Sequence, residues 1–134
     1  MYETIIIGAG IAGLTSAIYA SRKRMNFRII GKDFGGQFNV SSEVLNYPGF
    51  KKIEGIEFND KMQEQIEFNN INVINEEVTD VKNKGNYLKI ITNKNSYNTK
   101  SCIIATGSTP RRLNVPGEKR LAKKGVTYCS ICDG

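Results

Sequence analysis

The chain has no histidine and no tryptophan among its 134 residues, and it has only three prolines and three cysteines. Without histidine, a zinc site would need about four ligands from cysteine and carboxylate alone. Cys102 stands far from Cys129 and Cys132, inside an apolar, strand-like run. A c-type haem needs a histidine directly after the second cysteine of its pair, and Asp133 stands there. No metal is expected. Long apolar runs are also missing: nothing approaches the roughly 18 residues that cross a bilayer. The start, Met1-Tyr2-Glu3-Thr4, has neither the basic region nor the apolar core of a signal peptide. A cytoplasmic chain with no membrane partner is expected.

Acidic residues are the minority, 13 against 19 basic ones, for a formal charge of +6. The excess gathers late, where Arg111, Arg112, Lys119, Arg120, Lys123 and Lys124 face only Glu118 and Asp133. Such a tail suits a phosphorylated cofactor or nucleic acid. It has no interleaved aromatics and no binding motif, so it reads as a solvated linker, and no nucleic-acid partner is expected.

What is present suits one compact domain with a real core: 40% of the residues are hydrophobic. "ETIIIGAGIAGLTSAIYASRKR" reads as strand, glycine turn and helix. Ile5, Ile6 and Ile7 form a β-branched run fit for burial on both faces. Beyond Gly13, Leu14, Ala17 and Ile18 recur at helical spacing, and residues 27–31 give the second strand of a βαβ unit. Residues 32–48 read as loop. A helix is predicted over residues 55–69 from Phe58, Met62 and Ile66, and a core strand over 71–74. Runs near 78–82, 87–92 and 97–104, separated by "NKGN" and "NKNS", predict an antiparallel meander. Pro110, Pro116 and Gly117 mark a boundary, giving a domain over 1–110 and, over 111–134, a linker (111–124) and the start of a second domain that carries the cysteine pair.

Gly8, Gly10 and Gly13 form G-x-G-x-x-G between a predicted strand and a predicted helix. The first glycine permits a tight turn, the second lets a pyrophosphate approach the backbone, and the third lets helix and sheet pack closely. The helix N-terminus then offers free N–H groups to phosphate. Dinucleotide binding is expected. An acidic residue about 20 positions on should hold a ribose, yet Gly31 stands there. That leaves the ribose to backbone groups or Lys32, with Asp33 read as a loop aspartate.

Taken together, "GAGIAGLTSAIYASR", "GGQ" at 35–37, "NYPGF" at 46–50, "IIATGSTPR" at 103–111 and "YCSICDG" at 128–134 resemble the N-terminal part of the low-molecular-weight thioredoxin reductases of bacteria and archaea. The flavoprotein subunit of alkyl hydroperoxide reductase shares this core. The resemblance implies an α/β fold: a Rossmann-like, three-layer FAD-binding domain with a small antiparallel β-meander, incomplete at its C-terminus. It implies that Gly8, Ala9, Gly10, Ile11, Ala12 and Gly13 hold the FAD pyrophosphate. Gly31, Lys32, Gly35, Gly36 and Gln37 would line the adenosine and flavin side, with Asn46 near the isoalloxazine and Val78 near the adenine. Ala105, Thr106 and Gly107 would close against the cofactor.

Cys129 and Cys132 would be the redox pair and Asp133 its proton donor and acceptor, with electrons running from NADPH through FAD to thioredoxin or a thioredoxin-like protein. Cys132 would lie nearer the flavin, and Cys129 would attack the partner. The physics of exchange agrees: a thiolate attacks, and a vicinal second thiol resolves the mixed disulfide. In the family the NADPH site lies after the cysteine pair and the full-length protein is a homodimer. The chain therefore reads as the first part of a longer enzyme, inactive by itself. The alternatives are a truncated, non-catalytic nucleotide-binding module and a fragment of an alkyl hydroperoxide reductase flavoprotein.

Overall fold

A computed structural model describes residues 1–122 and 124–128. Strand β1 (Tyr2–Ile7) runs into helix α1 (Ile11–Arg22) and strand β2 (Phe27–Ile30). The helix begins at Ile11, ahead of Gly13, because Gly10 already caps it with extended backbone and its carbonyl accepts the Leu14 N–H. β1 and β2 pair in parallel, from Thr4 with Phe27 to Ile7 with Ile30. Helix α2 (Gly55–Phe68) buries Phe58, Met62 and Ile66 on one face, the 3.6-residue period that its sequence carries.

The strand expected over 71–74 is shorter, β3 (Val73–Ile74). Asn70 takes a left-handed φ of 53° and the Ile71 N–H returns to the Ile66 carbonyl, so the helix end consumes the first residues. Within the expected loop 32–48, Gly36–Val40 forms a 3₁₀ helix. Strands β4 (Val78–Asn83), β5 (Leu88–Thr92) and β6 (Ser96–Ile104) form the meander. Its last strand is shared: β6 pairs antiparallel with β5 up to Thr99, and parallel with β1 from Thr99 to Ile104. Beyond Thr99, among the described residues, only β1 pairs with it, and Ile103 and Ile104 are exposed.

The result is one six-stranded sheet in the order β3-β2-β1-β6-β5-β4. Its two edge strands are joined by only a few residues, since β3 ends at Ile74 and β4 begins at Val78. Four residues reach about 14 Å at most, whereas six flat strands span about 24 Å. The sheet must therefore curl, carrying the meander across the face of the parallel strands. The core divides accordingly. On one face Ile6, Leu14, Ala17, Ile29, Phe58, Met62 and Ile66 join the two helices to the sheet. On the other, Ile5, Ile7 and Ile30 share a cluster with Ile90 of the meander. Three layers result, as the resemblance implies. Burial of each large aliphatic side chain contributes about 1.5–3 kcal/mol.

A polar contact fastens the curl. The buried Glu76 carboxylate accepts from Thr92 Oγ1 at 2.6 Å, Asn95 Nδ2 at 2.7 Å and the Tyr97 hydroxyl at 3.1 Å. The Thr92 bond does most to hold this carboxyl below its ordinary range, against the opposing effect of burial. Tyr97 is pushed up, by burial first and by Glu76 second. Residues 111–124, read as a linker, also contain structure: a short helix, α3 (Glu118–Leu121), starts after Gly117. No helix among the described residues is long and apolar enough to cross a membrane.

Candidate functional site

In the parallel part of the sheet the strand order reverses at β1, with β2 on one side and β6 on the other. The crevice beyond the carboxyl ends of such strands is where open α/β sheets take ligands. Three of the predicted segments meet there. The Gly8 N–H donates to the Ile30 carbonyl at 2.8 Å, and the Ala105 N–H donates to the Ile7 carbonyl at 2.8 Å. The Gly35 N–H donates to the Ala9 carbonyl at 2.8 Å, and Gln37 Nε2 donates to the Ser108 carbonyl at 2.8 Å. Residues 8–13, 31–37 and 105–108 are thus tied into one rim. Thr106 and Gly107 lie on it, exposed.

The rim is built so that backbone touches backbone. Gly8 has a φ of +109°, and a Cβ there would stand 2.2 Å from the Ala105 carbonyl oxygen. A Cβ at Gly13 would stand 1.9 Å from the Gly8 oxygen. Neither position admits any other residue without moving the turn. Gly10 differs: a Cβ there meets nothing within 4 Å. Its bareness serves no internal contact, and it leaves open space beside the first turn of α1. Among the described residues no side chain caps that helix, and its first turn holds no acidic residue. The N–H groups of Ile11, Ala12 and Gly13 precede the first intrahelical donor, Leu14. A cradle that a side chain would fill, bordered by free donors at a positive dipole end, fits the phosphates of a dinucleotide.

The missing acid at the end of β2 has a steric explanation. A Cβ at Gly31 would lie 2.5 Å from the Ala9 nitrogen, so no side chain fits there. Lys32 is exposed and pairs with Glu77 at 3.1 Å. That pair places Lys32 near the start of β4, where Val78 is half-buried against the second core cluster. Asn46 is exposed on a loop anchored by the Val44–Ile53 pairing and by Tyr47 against Phe38 and Phe58. Cys129, Cys132 and Asp133 lie outside the described residues. Cys102 is half-buried and packs on the second cluster. Among the described residues no group of histidine, cysteine or carboxylate side chains is arranged to hold a metal.

Two polar residues escaped the sequence reading. Asn59 packs its amide under Gly35, and its Nδ2 donates to Asn39 Oδ1 at 2.7 Å. Its buried Oδ1 has no partner among the described residues. A polar residue between Phe58 and Met62 on a helix face otherwise committed to the core was the available signal. The second is Glu118, 4% exposed. Its Oε1 accepts from the Leu113 N–H at 3.0 Å and from the Tyr128 hydroxyl, and its Oε2 accepts from the Asn114 N–H at 2.7 Å. The Tyr128 bond does most to hold this carboxyl below its usual range, followed by the Leu113 N–H. Glu118 in turn pushes the Tyr128 phenol up.

Comparison with known proteins agrees with this fold. The family model described as pyridine nucleotide-disulphide oxidoreductase matches residues 2–134. A thioredoxin reductase of Ureaplasma parvum is 44% identical over 135 residues, covering 100% of this chain and 44% of the relative. The crystal structure of Lactococcus lactis thioredoxin reductase superposes with a TM-score of 0.84 at 41% identity, over 99% of this chain and 44% of that one. A ferredoxin-flavin thioredoxin reductase from Clostridium acetobutylicum has a TM-score of 0.78 at 34% identity, over 98% of this chain and 46% of that one. The chain thus spans less than half the length of the relatives it matches.

Proposed function

The chain belongs to the pyridine nucleotide-disulphide oxidoreductase family, and from that membership we propose that it carries the flavin-binding portion of a thioredoxin reductase. The observation that carries the reading is the rim where residues 8–13, 31–37 and 105–108 meet around the open space at Gly10. FAD would be held there, its pyrophosphate against the N–H groups of Ile11, Ala12 and Gly13. Lys32 and Val78 would flank the adenosine, and Gly36, Gln37 and Asn46 the flavin side. Ala105, Thr106 and Gly107 would close the rim. When bound, FAD supplies a route for two electrons from NADPH to a disulfide. A flavin appears in the name of one relative and thioredoxin in the names of all three described above.

The chain's own thiols would do the exchange. With Cys129 and Cys132 reduced, the Cys129 thiolate attacks a disulfide sulfur of thioredoxin, forming a mixed disulfide and releasing one thioredoxin thiolate. Cys132 then attacks Cys129, closing the Cys129/Cys132 disulfide and releasing the second thiolate. Two electrons leave the pair, and Asp133 takes and returns the protons. Trapping tests these roles. Cys132→Ser should accumulate a stable mixed disulfide with thioredoxin and Cys129→Ser should not, as read by mass spectrometry of the adducts. Equal trapping would reject the division of labour, and no trapping by either would reject thioredoxin as the partner.

A further inference from the structure

We propose that Glu118 is a positioning residue for the Cys129/Cys132 dithiol, an inference that rests on reading that pair as the redox centre. The segment before the pair has little apolar anchorage: Leu113, Val115 and Leu121 are all exposed. It contains an uncommon backbone, with a left-handed φ of 58° at Asn114, which persists only where its surroundings impose it. Local bonds close its middle, from the Lys124 and Val126 N–H groups to the Leu121 carbonyl. Those bonds do not join its two ends.

Glu118 does. One carboxylate holds the Leu113 and Asn114 N–H groups at the start of the segment and the Tyr128 hydroxyl at its finish. Its three donors compensate for burying a charge, and all three belong to this one segment. Tyr128 immediately precedes Cys129 in the sequence. What holds Tyr128 therefore acts on the residue that adjoins the cysteine pair. An apolar residue at 118 would leave two backbone N–H groups and a hydroxyl without their acceptor.

Glu118→Gln is the sharp test, because it keeps the shape and puts an amide donor among three donors. On the full chain, the Cys129/Cys132 disulfide is equilibrated against glutathione, and each thiol's alkylation rate is read by mass spectrometry, with Cys102 as the internal reference. The expected result is a change of roughly threefold or more in the equilibrium constant and in the Cys129 and Cys132 rates. The Cys102 rate and the unfolding midpoint should stay in place. Tyr128→Phe removes one of the three donors and should give a smaller change in the same direction. It carries the test alone if the Glu118 variant does not fold. Unchanged thiol chemistry in both variants overturns the proposal. So does a change shared equally by Cys102, which would mean general loosening. If the unsubstituted chain forms no Cys129/Cys132 disulfide at all, the redox reading of the pair fails, and the positioning role with it.

Discussion

In the glycine turn, position is set by main chain against main chain: Gly13 presses on Gly8, and Gly8 presses on Ala105. In the segment from Leu113 to Tyr128, one side chain collects donors from both ends. The first arrangement tolerates almost no added atom and needs no charge. The second tolerates bulk, with apolar side chains left in solvent, and draws on a buried carboxylate. The rim at the glycine turn is thus fixed by sterics. The segment that ends at Tyr128 is tied by bonds that protonation of Glu118 can break.

The largest expected effect strikes the steric side. Gly13→Ala puts a Cβ 1.9 Å from the Gly8 oxygen, and α1 must withdraw from the turn. A loss of about 3 kcal/mol or more is expected in denaturant unfolding. A variant of unchanged midpoint would show that the turn is softer than its contacts imply. Gly10→Val separates folding from binding at the same turn. Its Cβ starts in open space, so stability should fall by no more than about 1 kcal/mol. FAD, followed by the change in its fluorescence on titration, should no longer bind. Full flavin affinity in that variant would remove the pyrophosphate from this site.

The smallest effect tests the charged side through Glu76, which holds the meander as Glu118 holds its segment. Its pKa is depressed in the fold, so its contribution is fully present above the ordinary carboxylate value of about 4.3 and fades as pH falls through the lowered one. Glu76→Gln should therefore lower the unfolding midpoint near neutral pH. The gap to the unsubstituted chain should narrow below about pH 4. A gap that stays constant with pH would mean that shape, rather than charge, fastens the curl.

The same contrast decides what could be read from the residues alone. The glycine turn, the β-branched β1 and the apolar period of α2 are local patterns, and local patterns declare themselves. Glu76, Asn59 and Glu118 look like surface residues by composition. Their partners lie up to 21 residues away for Glu76 and 20 for Asn59, joined only when the sheet curls and the helix docks. Gly31 shows the opposite error. The expected acid at the end of β2 follows a general pattern, and a contact with Ala9 that no spacing reveals overrides it. The run over 97–104 is legible as a strand, but its membership of both a parallel and an antiparallel ladder is not.

That shared strand also dictates an order of assembly. Ile91 and Ser96, five positions apart, bring β5 to β6 through a short turn. Tyr2 and Thr99 must close a loop of 97 residues before β1 gains its second neighbour. Loop entropy alone makes the long closure costlier by about 2.6 kcal/mol. On a growing polypeptide, β1 leaves the ribosome first yet stays bare on one side until residue 104 has emerged. The β5–β6 hairpin can close by then, so β6 meets β1 with residues 96–99 already paired and 101–104 still to be paired.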